Sequence, residues 1–179
     1  MPLPKEELYT IGDIYSLPEG ERAELIDGQI YDMAPPSRHH QEISMELSTA
    51  IQSYIRSKKG NCRVYAAPFA VQLDEDSHTY VEPDISVICD PNKLDERGCK
   101  GAPDWIIEIV SPASRRMDYY TKLFKYRTAG VREYWIVDPV KKLVMVYDFE
   151  NEDTEQYTFQ DSIKVGIYNE DLRIDFAEM

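Results

Sequence analysis

The sequence predicts a mixed α/β (α+β) domain, a central mixed sheet flanked by helices, and three observations carry that expectation. The run Asp104–Val110 (DWIIEIV) is apolar on both of its alternating faces, as in a central strand covered on two sides. From His39 or His40 to about Arg56, the residues Ile43, Leu47, Ala50, Ile51, Tyr54 and Ile55 recur at the spacing of one helix face. The periodicity then runs helix, strand, strand, strand, helix, strand, an order that builds a sheet with helices packed on it.

Taken in order, Met1–Leu8 reads as a loose terminus, and Thr10 is positioned to cap a short helix that stops before Pro18. Glu24–Met33 reads as a hairpin turning at Asp27-Gly28, the dipeptide a type I′ turn favours. Ser37 is a candidate cap for the long helix, which Lys58-Lys59-Gly60 closes. Arg63–Leu73 alternates as a strand, with Pro68 marking it as an edge or a bulge. A polar turn at Asp74–Thr79 leads to the strand Asp84–Cys89, and Asp90–Gly101 reads as a charged, mobile loop. Ser111-Pro112 ends the central strand, and Ser114 can cap a helix over Arg115–Ala129 that Gly130 terminates. Glu133–Val137 is a short strand. Lys142–Phe149, Glu155–Gln160 and Ser162–Tyr168 add a C-terminal β meander. A chain of 179 residues without linker-like segments is expected to form one domain, its core over about 24–138 and its last strands over about 142–175.

The net charge of −13 argues against long-range attraction to nucleic acid, which rests on Lys and Arg neutralising phosphates. Basic residues nevertheless cluster at Lys58-Lys59, at Arg115-Arg116 and at Lys122, Lys125 and Arg127, and a bound cation would reverse the field locally. No apolar run spans a bilayer and the first residues lack an apolar signal core, so no membrane association and a cytoplasmic location are expected. The three cysteines show no metal-ligand spacing and are expected to be reduced, Cys62 and Cys89 in strands and Cys99 in a loop.

Chemistry concentrates between Val81 and Pro139. Glu108 interrupts the doubly covered strand, and an ionised carboxylate there is costly unless paired, neutralised or bound to a cation. Asp84 opens the preceding strand after Pro83, and Lys122 lies on the next helix. Two carboxylates from neighbouring strands with a lysine nearby suit a hard divalent cation, Mg²⁺ with Mn²⁺ as a substitute, acting on a phosphodiester. Each residue also has an ordinary alternative. Asp84 can be a turn residue, and Glu108 an internal ion-pair partner of Arg127, Arg132 or a lysine. Lys122 can pair with Asp118 at i, i+4 on the helix surface, and Lys125 competes for its role. Tyr119, Lys122 and Tyr126 share one helix face. Glu24 can be an exposed strand residue and His40 a capping or packing group. Paired carboxylates also serve glycosidases, but no other feature matches a sugar site.

The pattern ELIDGQIYDMAPPSRHHQEI, then VEPDISV, then PDWIIEIVSPASRRMDYYTKLFKYRTAGVREYWIVDP resembles the Uma-type restriction endonuclease family of the PD-(D/E)XK nuclease superfamily, over roughly Glu24–Asp138. The resemblance implies a restriction-endonuclease-like core. By the same match Pro83-Asp84 is similar to the PD half-motif and Glu108 to the acidic residue of the second half. The third position of that half, a lysine in most of the superfamily, is Val110 here, and Lys122 matches a lysine moved to the following helix. By the same match Glu24 is similar to a family glutamate at the site, and His40 to a histidine without an assigned role. The function so implied is a metal-dependent DNA endonuclease, with Asp84, Glu108 and the Ile109 carbonyl holding the ion and Lys122 positioning water. The rivals are a catalytically inactive interaction protein on the nuclease fold, which Val110 and the acidic charge favour, and a hydrolase of another phosphodiester. Cutting both strands suits a homodimer, with Val144, Val146, Tyr157 and Phe159 as interface candidates.

Overall fold

The structure is a computed structural model that describes residues 7–179, so most of the terminus expected to be loose lies outside the described residues. The chain runs through α1 (Ile11–Tyr15), β1 (Ala23–Ile26), β2 (Gln29–Asp32), α2 (Arg38–Ser57), β3 (Arg63–Ala66), β4 (Val71–Gln72), β5 (Tyr80–Val81), β6 (Ile85–Ile88), β7 (Leu94–Asp95), β8 (Gly98–Lys100) and β9 (Trp105–Ile109). A helix then begins at Arg115, passes through a π-helical segment, Met117–Lys122, and continues as α3 (Leu123–Ala129). The strands β10 (Glu133–Asp138), β11 (Leu143–Asp148), β12 (Asp153–Thr158), β13 (Ser162–Lys164) and β14 (Arg173–Asp175) follow.

The main sheet has six strands in the order β12-β11-β10-β9-β6-β3, and a second six-stranded sheet has the order β2-β1-β5-β4-β8-β7. Within the main sheet β9 and β10 are parallel and the other pairs antiparallel. A parallel pair needs a crossover, and the helix ending at Ala129 supplies it. Gly130 stops that helix at φ +96°, a left-handed conformation that glycine adopts without a Cβ penalty. The β1–β2 turn likewise places Asp27 and Gly28 at φ 51° and 76°, as the type I′ reading requires.

The double coverage read from Asp104–Val110 is realised by alternation along β9. Trp105, Ile107 and Ile109 face α2, where they pack with Ile43, Leu47, Ile51, Ile55 and Trp135, and the β13–β14 hairpin adds Ile163, Ile174 and Phe176. Ile106 and Val110 face the other way, into a core with Tyr126, Tyr134 and the second sheet's Ile26, Val71, Val81 and Cys99. Ser37 caps α2 by accepting the His40 N–H at 3.2 Å, and Asp13 takes both the N–H and the hydroxyl of Thr10 at the start of α1.

Several local expectations change. Arg63–Leu73 is two strands in different sheets, broken at Ala67-Pro68, where proline has no N–H for the ladder. Asp90–Gly101 folds into a 3₁₀ turn and the β7–β8 hairpin, its corner fixed by Asp95 accepting the N–H groups of Arg97 and Gly98 at 2.8 and 3.2 Å. Cys99 is therefore a buried strand residue. Cys62 and Cys89 are disulfide-bonded, not reduced, and lie just outside β3 and β6. The register pairs Arg63 with Ile88, so the two cysteines face each other one step beyond it. In the meander, β11 and β12 extend the main sheet, while β13 and β14 cover it. Val144, Val146 and Phe159, expected at a dimer interface, are consumed in the core beneath that hairpin, with Tyr157 packed partly buried against it.

Candidate active site at the seam of the two sheets

Glu108 occupies an inward position of β9 on the face turned toward the crossover helix. Antiparallel pairing of Ile85 with Ile107 sets Asp84 directly opposite Glu108, and directly opposed residues project from the same face. The strand ends interlock: the Asp84 N–H lies 3.3 Å from Glu108 Oε2, and the Ile109 N–H donates to Asp84 Oδ2 at 2.7 Å.

From the helix, Lys122 Nζ donates to Glu108 Oε1 at 2.9 Å, and the Tyr126 hydroxyl donates to the same oxygen at 2.7 Å. From β1 in the second sheet, Glu24 meets Lys122 Nζ with its two oxygens at 3.0 and 2.9 Å, and it also accepts the Glu82 N–H at 2.9 Å. Asp118 lies 3.8 Å from the same ammonium. His40, from the first turn of α2, places Nε2 3.1 Å from Asp84 Oδ1, while its Nδ1 is buried without a partner. Glu24, Asp84, Glu108 and Lys122 thus converge with His40. Lys125 does not join them: it pairs with Asp27. Arg127 reaches Glu152 at 3.9 Å, and Arg132 binds Glu150 and Asp104 at 2.8 and 3.2 Å, so neither is the partner of Glu108.

The surface pair weighed for Lys122 and Asp118 is replaced by a buried one, since the two residues are only 5% and 2% exposed. Asp118, Lys122 and Tyr126, spaced by four, present one face to the sheet, and Tyr119 lies off that face, half-buried. Both charged residues belong to the π-helical segment, a wide turn that recurs at functional sites. Sequence reasoning gives Asp118 a role only as a surface partner of Lys122, although it lies in the stretch that carries the family resemblance. The i, i+4, i+8 spacing is the available signal, and it needs the helix's orientation to be interpreted.

Four clustered carboxyl groups, three of them around one ammonium, cannot all ionise freely. Burial raises the Glu108 carboxyl well above the usual carboxylate range; the Lys122 charge opposes this, and Asp118, Asp84 and Glu24 reinforce it. Burial likewise pushes Asp118 up to about 6, against the pull of Lys122 and of a Ser114 hydrogen bond. For Lys122, burial favours the neutral amine, but Glu108, Glu24 and Asp118 outweigh it and the ammonium is held. Burial also pulls His40 down, yet Asp84, Asp118 and the Ile109 backbone together raise it.

The donor set fits a hard cation. Asp84 Oδ1 and Glu108 Oε2 project from opposed strand positions, and among the described residues each meets one longer contact, of 3.1 and 3.3 Å. Among the described residues no three acidic, imidazole or thiol groups form a ready-made cage. Mg²⁺, however, is commonly held by one or two carboxylates, with water and substrate oxygens completing the shell.

A family model described as "Putative restriction endonuclease", Uma2, matches residues 7–173. The chain belongs to the Uma2 family. Two uncharacterised proteins of Synechocystis sp. (strain ATCC 27184 / PCC 6803 / Kazusa) are similar: one is 28% identical over 128 residues, 71% of this chain and 66% of the relative, and the other 26% identical over 121 residues, 66% and 67%. The chain thus spans about two thirds of the length of these curated relatives. In fold, this Uma2 chain is similar to a crystal structure titled as a putative nuclease belonging to DUF820 from Anabaena variabilis ATCC 29413, with TM-score 0.77, 24% identity and coverage of 94% of this chain and 96% of that one. The mixed α+β architecture expected from the sequence is the architecture this likeness supports. No described helix is long and apolar enough to cross a membrane.

Proposed function

We propose that this Uma2 chain is a metal-dependent DNA endonuclease that hydrolyses phosphodiester bonds at the Glu24–Asp84–Glu108–Lys122 cluster. One observation carries the reading: two acids from opposed positions of neighbouring strands share a face with a lysine from the crossover helix. Asp84 and Glu108 would hold Mg²⁺ or Mn²⁺, with the Ile109 carbonyl as a further oxygen ligand. The ion, when bound, supplies Lewis-acid activation of water and of the scissile phosphate. Lys122 brings a buried positive charge to the edge of that site, suited to orienting the attacking water and offsetting charge on the phosphoryl oxygens. Glu24 holds the ammonium from the opposite sheet, and the Tyr126 hydroxyl fixes the orientation of Glu108.

The test is cleavage of plasmid DNA by the full chain with Mg²⁺ or Mn²⁺, with Glu108→Gln as control. Metal-dependent nicking that the substitution removes supports the reading. Metal binding with hydrolysis of a small phosphodiester but not of DNA moves it to another phosphodiesterase. A wild-type chain that binds no divalent metal by calorimetry would leave a non-catalytic interaction role, the alternative that Val110 at the usual lysine position favours.

A further inference from the structure

We infer that nucleic acid docks on the carboxyl-end edge of β9 and β10, with Arg116, Lys141 and Lys142 contacting the phosphate backbone of duplex DNA. The inference rests on the proposed function and adds to it the surface that receives the substrate.

The cluster is closed on most sides: the side chains of Glu24, Glu108, Asp118 and Lys122 are only 3–8% exposed. It opens at Asp84 and His40, whose side chains are 19% and 16% exposed. That opening lies at the carboxyl end of β9, because Asp84 accepts the Ile109 N–H. Parallel pairing of Ile109 with Val137 brings the carboxyl end of β10 to the same edge. From there the chain enters two basic segments, Arg115-Arg116 after β9 and Lys141-Lys142 in the β10–β11 turn. The buried Asp138 ties them together by accepting from Arg115 at 2.6 Å and from the Lys141 N–H at 3.0 Å. Arg115 is spent on that pair. Arg116, Lys141 and Lys142 are exposed, and none forms an ion pair among the described residues.

Several other cations are paired, including Arg22 with Glu82, Lys58 with Asp171, Lys100 with Asp95, Arg132 with Glu150 and Lys164 with Glu170, while Arg56, Lys59, Arg63, Arg97 and Arg173 are exposed without an ion pair among the described residues, elsewhere in the chain. Charge is also divided between the two ends of the sheet. Because β11 runs antiparallel to β10, the β11–β12 turn, with Glu150 and Glu152, sits at the far edge. On the near edge the exposed Asp161, held by the N–H and hydroxyl of Thr158, keeps its negative charge, and Arg38 is paired with Glu42. A chain of net charge −13 that leaves three cations free beside the opening of a carboxylate site is complementary to a polyanion approaching that opening.

The experiment is fluorescence anisotropy with a labelled mixed-sequence DNA duplex, the full chain and Ca²⁺, over a series of salt concentrations. It compares wild type with Arg116→Gln/Lys141→Gln/Lys142→Gln and with Lys58→Gln/Lys59→Gln/Lys100→Gln, circular dichroism checking the fold of each. Every phosphate that is no longer neutralised should lower the slope of log K against log salt by about 0.9, so the rim variant should lose about 2–3 from the slope and roughly tenfold or more in low-salt affinity. The distant variant should match wild type. Equal loss in both variants, an unchanged slope in the rim variant, or no binding by wild type would overturn the docking surface. Wild-type binding with the expected slope loss but no cleavage would uphold the surface and remove the nuclease reading. Cleavage retained by a rim variant that binds as wild type would do the reverse.

Discussion

Two buried glutamates sit on neighbouring central strands and are held in opposite ways. Glu133 of β10 is 1% exposed, and neutral donors surround it: Trp135 Nε1 at 2.7 Å and the N–H groups of Gly166 and Ile167 at 3.2 and 2.8 Å. Glu108 of β9 is 3% exposed and faces one ammonium, one phenol and three other carboxyl groups. Burial raises both carboxyls; at Glu133 hydrogen bonds from Trp135, Ile167 and Gly166 offset part of the rise, whereas at Glu108 Lys122 opposes it and three neighbouring acids push it further up. A structural acid is satisfied by dipoles that cost nothing when it ionises. The acid proposed to hold an ion is kept among like charges, which a cation entering from outside would relieve.

The largest test of that contrast is Lys122→Met. It removes the charge that Glu24, Glu108 and Asp118 share and leaves buried acids unpaired, so stability at neutral pH should fall by about 3–5 kcal/mol. This exceeds the cost of under about 1 kcal/mol appropriate to a surface pair. Because the uncompensated charge is negative, lowering the pH or adding Mn²⁺ should restore part of the loss. Denaturant unfolding with and without Mn²⁺ measures it, and a loss under about 1 kcal/mol would mean that Lys122 is not the internal counter-ion.

Next is the pH dependence of Asp118. Its carboxyl, raised from 3.8 to about 6, binds a proton in the folded chain that the unfolded chain has released. Stability from this group is therefore greatest below the unfolded value and declines as pH rises through about 4 to 6, by on the order of 3 kcal/mol. Asp118→Asn should flatten that part of the stability–pH curve.

Glu133→Gln sharpens the other side of the comparison. The amide keeps one acceptor, but its NH₂ must meet an N–H that the second carboxylate oxygen now accepts, and an unsatisfied buried donor costs about 1–3 kcal/mol. Thermal unfolding should record the loss, with divalent-metal affinity unchanged.

How much of this is legible in sequence follows from how each feature is encoded. The alternation of Asp104–Val110 and the stripe from Ile43 to Ile55 are local patterns, and both the doubly covered strand and α2 follow from them. The positions of Asp84 and Glu108 are legible as acids at strand positions. Their direct opposition depends on a register between strands about twenty residues apart. Glu24 reaches Lys122 from the other sheet, a contact that strand alternation cannot supply. Asp118 escapes because helical spacing gives shared faces without saying which one points inward. Cys62 and Cys89, 27 residues apart, become neighbours through the same kind of long-range register. The C-terminal strands are legible, but Val144 and Val146 read as interface residues because nothing local distinguishes the covering β13–β14 hairpin from more of the same sheet.

The smallest expected change in stability, and the most discriminating, belongs to Glu108→Gln. If Glu108 were the sole partner of a buried cation, as in a simple ion pair, losing its charge would cost about 3 kcal/mol or more. Here Lys122 keeps both oxygens of Glu24 and the nearby Asp118, so it is not stranded. The amide carbonyl of Gln can still accept from Tyr126 and Lys122. Removing one of four mutually repelling acids offsets the weaker contact with Lys122 and the loss of the long 3.3 Å contact between Glu108 Oε2 and the Asp84 N–H, and the net change should stay within about 1 kcal/mol of zero. Metal affinity and cleavage should nevertheless disappear, because the carboxylate an ion needs is gone. Glu133→Gln should give the reverse pair of results, lower stability with metal binding intact. Measured side by side by denaturant unfolding and Mn²⁺ titration, the two variants separate an acid kept for the fold from an acid kept for chemistry. A large stability loss in Glu108→Gln, with wild type binding no metal, would place both acids in the first class.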